Sequence, residues 1–255
     1  MTNNDYRSYP LVDTAVGTRL LLGFIVSPTA LQARLPPRWQ IAPLSAFEAV
    51  GLPEERQPNL LLAFHHLLLD QDAQGQVLTD SGSRFLVFDI LARNPDTGEH
   101  GLVHFQMFTG GSIPGRFHDA LPARVKHDYH LVEDNASSSM SEVYQVHPEA
   151  GGMIEVQLTY QRGPLLRRSA EHPNFPLWAA VDPTIMRVYQ EDSVQELLRN
   201  DFTGLNMIQN MTFRSTVAEL ADLFDGKEQL VAVIGNPHYM RKVFSPHSEQ
   251  ASREE

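Results

Sequence analysis

The chain has 255 residues, 42% hydrophobic and 20% charged, which suits one soluble domain with a large core of its own. It contains no cysteine, which removes disulfides, thiolate zinc sites, iron–sulfur clusters and cysteine nucleophiles. Its formal net charge of -11 repels phosphate backbones, so nucleic acid is not an expected partner.

The N-terminal "MTNNDYRSYP" is polar and lacks the apolar stretch of a signal peptide. The longest apolar run, "LLLGFIV" from Leu20 to Val26, is too short to span a bilayer. A cytoplasmic protein with no membrane partner is the expectation, with flexible tails over 1–12 and 245–255. "RLLLGFIV" predicts a strand. "SPTALQARLPP" predicts a helix, with Ser27 as N-cap, Pro28 in the first turn and Pro36 as the stop. "SAFEAVG" pairs Ser45 with Glu48 as a capping box for a second helix. "NLLLAFHHLLL" predicts a strand in which either His65 or His66 must face inward.

"RFLVFDILA" and "LVHFQMF" read as a hairpin across the turn "NPDTGEHG". Alternation places Val103, Phe105 and Met107 on one face, with His104 and Gln106 on the other. "GMIEVQLTYQR" alternates as well, with Ile154, Val156, Leu158 and Tyr160 sharing a side. "SVQELLRN" and "TVAELADLFDG" predict helices from the capping boxes Ser193–Glu196 and Thr216–Glu219. "QLVAVIG" reads as a late buried strand. No linker or repeat divides the chain. The expectation is one domain over 1–255, α+β and mainly antiparallel β, barrel-like, with short helices.

The densest chemistry lies in "GRFHDALPARVKHDYH", Gly115 to His130. It holds two arginines, three histidines, two aspartates and one of only three lysines. After Pro122, "ARVKHDYH" predicts a strand with Arg124, Lys126 and Asp128 on one face and Ala123, Val125 and His127 on the other. Residues that share a face lie about 7 Å apart, a spacing at which Arg124 and Lys126 could grip a carboxylate or an enolate. Arginine outnumbers lysine 17 to 3 along the chain, a bias that GC-rich coding alone would give and that would also suit anion recognition. "HDYH" offers no metal site on a strand, because His127 and His130 point to opposite faces, and no HExxH spacing occurs. A GxSxG elbow, a phosphate loop and a GxGxxG turn are all missing, so neither a serine hydrolase nor a nucleotide cofactor is expected. "NPHYMRK" places Asn236, His238 and Arg241 after the last buried strand, where polar groups can line a pocket.

The spacing Gly-Arg, three residues, small, apolar, Pro resembles the signature of the acetoacetate decarboxylase family. "ALQARLPPRWQIAP", the hairpin "TGEHGLVHFQMF" and the closing "DGKEQLVAVIGNPHYMRKV" resemble the family's other segments, in the same order from about Arg19 to Val243. The resemblance implies a cone-shaped closed β-barrel, a homo-oligomer, and a cofactor-independent lyase acting on a keto acid. It also implies that Pro122-Ala123-Arg124 stands where the family has Pro-Lys-Lys. Its Schiff-base lysine is replaced by Ala123, and "SGSRFLVF" lacks the family's glutamate. Arg19 would match the arginine that meets the substrate carboxylate.

The expected activity is therefore chemistry on a keto acid or related carbonyl compound without an imine. Decarboxylation, hydration, dehydration, cyclisation or hydrolysis would all suit. Arg124, Arg116 and Arg19 would hold or stabilise the anion, and His118 or His104 would move the proton. Phe105, Met107 and Ala123 would line the site, with no metal and no cofactor. One alternative is a barrel that binds a ligand without turnover. Another is an imine-forming decarboxylase that uses Lys126, although family geometry turns Ala123 toward the pocket and Lys126 away.

Overall fold

The computed structural model describes residues 6–43, 53–78, 83–111, 117, 119–133, 138–163 and 165–246. Strands dominate: β1 (Leu11–Ile25), β2 (Gln40–Ile41), β3 (Leu60–Asp72), β4 (Ser83–Arg93), β5 (His100–Thr109), β6 (Ala120–Glu133) and β7 (Ser138–Pro148) are followed by β8 (Ile154–Gln161), β9 (Leu165–Ser169), β10 (Phe175–Ala179), β11 (Met186–Asn200), β12 (Leu205–Asn206), β13 (Ile208–Ser215) and β14 (Gln229–Phe244). One short helix, α1 (Pro28–Gln32), lies among them. Ser27 caps it as expected, its Oγ accepting from Ala30 N at 3.3 Å. Among the described residues no helix is long and apolar enough to cross a membrane.

Seven strands close a barrel in the order β1–β3–β4–β5–β10–β11–β14 and back to β1. All contacts in the ring are antiparallel except β5–β10, which is parallel. The closed mainly β architecture is the one the sequence predicts. Two segments near the ends of the described chain meet on it: Ser245 N donates to Pro10 O at 3.1 Å. Within the spans expected as tails, Val12 lies in β1 and Ser245 is buried.

A second sheet, β13–β8–β7–β6, packs on the outside of the barrel and joins it through a short parallel pairing of β6 with β5. Leu20, Leu22, Phe64, Leu86 and Phe88 on the barrel wall meet Tyr144, Val146, Ile154, Val156 and Leu158 on this sheet. Phe64 and Tyr144 sit ring to ring at 5.0 Å. Truncating a fully buried phenylalanine such as Phe64 to alanine costs about 3–5 kcal/mol. The alternation read in "GMIEVQLTYQR" is present: Ile154, Val156, Leu158 and Tyr160 are buried and the residues between them are not.

Two predicted helices are not helices. "SVQELLRN" is the far half of β11, because its backbone pairs with β14 on one side and with β9 on the other. Ladder bonds on both edges outweigh the local capping preference. "TVAELADLFDG" forms only a 3-10 turn over Ala218–Leu220, with Val217 and not Thr216 at its start. Even so it buries Leu220 and Leu223 against the core. "SAFEAVG" lies outside the described residues.

Candidate active site

A second set of side chains points into the barrel. Leu61, Leu91, Leu102, Leu177, Tyr189 and Val243 come from six different barrel strands and form one buried cluster, which only the interior allows. The same inward faces carry an unusual number of ionisable groups. Buried charged side chains are costly unless paired, so a ring of them inside a barrel marks a site more readily than a structural core.

Arg19 is one of them. Its two terminal nitrogens donate to the two oxygens of Glu191 at 3.0 and 3.1 Å, its Nε donates to Asn236 at 3.1 Å, and its guanidinium lies 4.0 Å over the Tyr239 ring. Burial works to lower its pKa, but Glu191 and Tyr239 outweigh that and raise it. Local backbone sets this geometry. β1 shifts register between Gly17 and Arg19 against β14, and at Gly17 an added Cβ would run into the His66 carbonyl.

His65 pairs with Arg19 across β1 and β3. Its ring stacks on Phe85 at 4.6 Å and lies 5.5 Å from Tyr239. Burial first, and then the Arg241 and Arg19 charges, hold its pKa well below the ordinary histidine value. It is a neutral imidazole at neutral pH, and its Nδ1 is buried without a hydrogen-bond partner. Arg241 lies between the rings of Phe85 and Tyr189, 5.9 and 5.7 Å away, with a buried and unpartnered Nε. Asp70 is pushed up to about 6, by burial against the opposing pull of Arg241. Ser193 pairs with Tyr239 across β11 and β14, and its buried hydroxyl also lacks a partner. Ala15, Leu67, Phe85 and Met107 close the apolar side.

Farther along the interior, His104 is held by two carboxylates. Its Nδ1 lies 3.0 Å from Asp89 and its Nε2 lies 2.9 Å from Asp119, while Phe117 stacks on the ring at 5.2 Å. Burial acts to lower its pKa, but the hydrogen bonds and charges of Asp119 and Asp89 push it up to about 9. It is an imidazolium at neutral pH.

The other predicted site residues divide. Met107 faces the interior, but Phe105 does not. A register shift between β4 and β5 leaves Phe105 opposite no residue, and its ring packs outside, 5.8 Å from Phe88. That bulge also separates Val103, which joins the outer core, from Met107. Ala123, Val125 and His127 share the inward face of β6, and Arg124, Lys126 and Asp128 are exposed, as alternation predicts. Inward on β6, however, means toward the barrel's outer wall. Ala123 joins the core between barrel and sheet, and Arg124 lines an open groove of about 500 Å³ with Gly110, His147 and Glu149. Neither Arg124 nor Lys126 reaches the barrel interior. Arg116 and His118 lie outside the described residues. His65, Ser193, Glu191, Tyr239 and Arg241 were not among the expected site residues, although "FHH" and "NPHYMRK" carry three of them.

No protein-family model matches the chain, and no curated protein matches it in sequence. Solved structures do match in shape. The enduracididine biosynthesis enzyme MppR complexed with pyruvate superposes at a TM-score of 0.54 with 11% identity, over 94% of this chain and 90% of that one. An acetoacetate decarboxylase from Legionella pneumophila gives 0.53 and 11%, over 97% and 90%. An acetoacetate decarboxylase-like enzyme from Sphingomonas wittichii RW1 gives 0.52 and 10%, over 93% of each chain. The seven-strand barrel with its outer sheet is thus the fold of the acetoacetate decarboxylase-like enzymes.

Proposed function

We propose that the protein is a small-molecule enzyme that binds a keto carboxylate inside the barrel and moves a proton at the carbon next to its carbonyl, without an imine. One observation carries this reading. Three buried polar atoms on the interior faces, His65 Nδ1, Arg241 Nε and Ser193 Oγ, have no hydrogen-bond partner. Native interiors rarely leave such atoms unpaired, and a ligand with a carboxylate and a carbonyl would satisfy them. Arg241 receives the carboxylate, since Arg19 is already committed to Glu191 and Asn236. Neutral His65 takes the proton, and the charge that develops on the carbonyl oxygen is stabilised by the guanidiniums on either side. Return of a proton from His65 regenerates the substrate or completes the reaction. Decarboxylation of a β-keto acid passes through the same enolate, so a lyase would use the same atoms.

The pyruvate named with MppR, a 2-keto acid, supports this ligand class. All three lysines of the chain, Lys126, Lys227 and Lys242, are exposed, which weighs against imine chemistry. The test is hydrogen–deuterium exchange into the methyl group of pyruvate, followed by proton NMR in heavy water. Wild-type protein is expected to accelerate exchange, His65→Gln to lose at least 100-fold of the acceleration, and Arg241→Gln to raise KM. Full exchange in His65→Gln would overturn the assignment. Saturable binding of keto acids with no exchange in wild type would leave ligand binding without turnover as the function.

A further inference from the structure

We propose a second anion site, separate from the barrel interior, at the seam where the outer sheet meets the barrel wall, built from Arg84, His66 and His127. Arg84 on β4 pairs with His66 on β3, and both point outward from the barrel. The Arg84 side chain is only partly exposed and has no acidic partner among the described residues, and its Nε is inaccessible to solvent and unpaired. His66 sits beside it. Burial, then the charges of Arg84 and His127, lower its pKa.

The outer sheet supplies the third group. His127 faces His66 edge-on at 6.0 Å between ring centroids and stacks flat on Tyr144 at 4.0 Å. Its side chain is 8% exposed. Its Nε2 lies 3.0 Å from Glu142, which also accepts from the hydroxyls of Tyr144 and Tyr160, each at 2.6 Å. Burial acts to raise the Glu142 pKa, but the donations from His127, Tyr144 and Tyr160 hold it below the ordinary carboxylate value. Three donors already engage Glu142, and it makes no ion pair with Arg84 among the described residues. It also fixes the proton of His127 on Nε2, which leaves Nδ1 buried, unpartnered and an acceptor, able to take the acid hydrogen of a protonated oxyanion.

A half-buried guanidinium with no acidic partner among the described residues supplies the charge for a compact oxyanion, and the His127 acceptor nitrogen takes the hydrogen of one that keeps a hydroxyl, as hydrogen phosphate does and a deprotonated carboxylate does not. The groove lined by Gly110, Ala123 and Val125 adjoins the same strands: Gly110 N donates to Arg84 O at 3.2 Å, and Val125 shares its face of β6 with His127.

Thermal unfolding of the full chain in anion-poor buffer, with inorganic phosphate or acetate added, tests the site. Wild type is expected to gain Tm saturably with phosphate and not with acetate. Arg84→Met is expected to start at a higher Tm without ligand, because it removes an uncompensated cation, and to bind the anion at least tenfold more weakly. Arg241→Gln, which alters the barrel interior, is expected to keep the response and so separates this site from the one inside. No saturable response to phosphate in wild type, an equal response in Arg84→Met, or a lower starting Tm in Arg84→Met would each overturn the proposal.

Discussion

Two histidines share the barrel interior in opposite states. His104 lies between two carboxylates and carries a charge; His65 lies between two guanidiniums and does not. Burial favours the neutral form of both, so the neighbours decide. An imidazolium hydrogen-bonded to Asp89 through Nδ1 and ion-paired with Asp119 through Nε2 is a structural clamp, and it has no lone pair with which to accept a proton. A neutral imidazole with a free buried nitrogen is a reactive group. The sequence reading placed proton transfer on His118 or His104; between the two interior histidines, the electrostatics favour His65 over His104 for the proposed proton transfer.

The largest effect that would sharpen this contrast is on stability. His104→Ala leaves Asp89 and Asp119 as buried carboxylates without a counterion, and we expect a loss of about 3–5 kcal/mol in urea unfolding. His65→Phe should lose almost nothing in the same assay, since a second ring on Phe85 replaces an imidazole with an unsatisfied nitrogen. Equal losses in the two variants would break the distinction.

The pH dependence of stability gives the next effect. The folded pKa of His104 is raised to about 9, above its unfolded value of about 6.5. Its contribution is therefore complete below about pH 6.5 and is lost as pH rises through about 9, an amount on the order of 3 kcal/mol. His65 has the opposite sign. Its folded pKa lies below the unfolded one, so it costs stability as pH falls below about 6.5. Unfolding free energies measured from pH 5 to 10 should decline on the alkaline side in wild type, and should not do so in His104→Gln. A flat alkaline limb in wild type would sink the clamp.

Smaller still are the expectations for the lysines and for the exposed face of β6. Borohydride reduction with pyruvate or acetoacetate, read by intact mass, should leave the chain unmodified; an adduct on Lys126 would return imine chemistry to the molecule. Arg124→Ala and Lys126→Ala should change stability by less than about 0.5 kcal/mol and leave methyl exchange intact.

Much of the fold was legible because strand alternation reports burial directly. The faces of β6 and β8 follow from their sequences. Alternation fails where a bulge intervenes: one extra residue at Phe105 reverses the faces of β5, and no local feature of "LVHFQMF" signals it. It also cannot say which of two layers an inward residue meets. Ala123 and His127 face inward as read, yet toward the seam and not the barrel lumen, because that depends on how the second sheet docks. The interior site was harder to see for a related reason. Arg19, His65, Glu191, Tyr239 and Arg241 come from four strands spread over more than 220 positions. Closure of the ring brings them together, and no spacing in the chain records it.

The pairing of β1 with β14 has a consequence for how the molecule is made. The barrel cannot close until its last strand has been synthesised, so the nascent chain must carry the open edges of β1 and β11 through most of translation. Such a chain folds late and depends on being kept from aggregation until then. Because Pro10 and Ser245 touch in the folded state, the order of strands need not be fixed by where the chain begins. A circular permutant opened at the exposed turn around Gly75, with the old ends joined, would keep every barrel contact and allow β14 and β1 to pair as a hairpin before the rest of the ring forms.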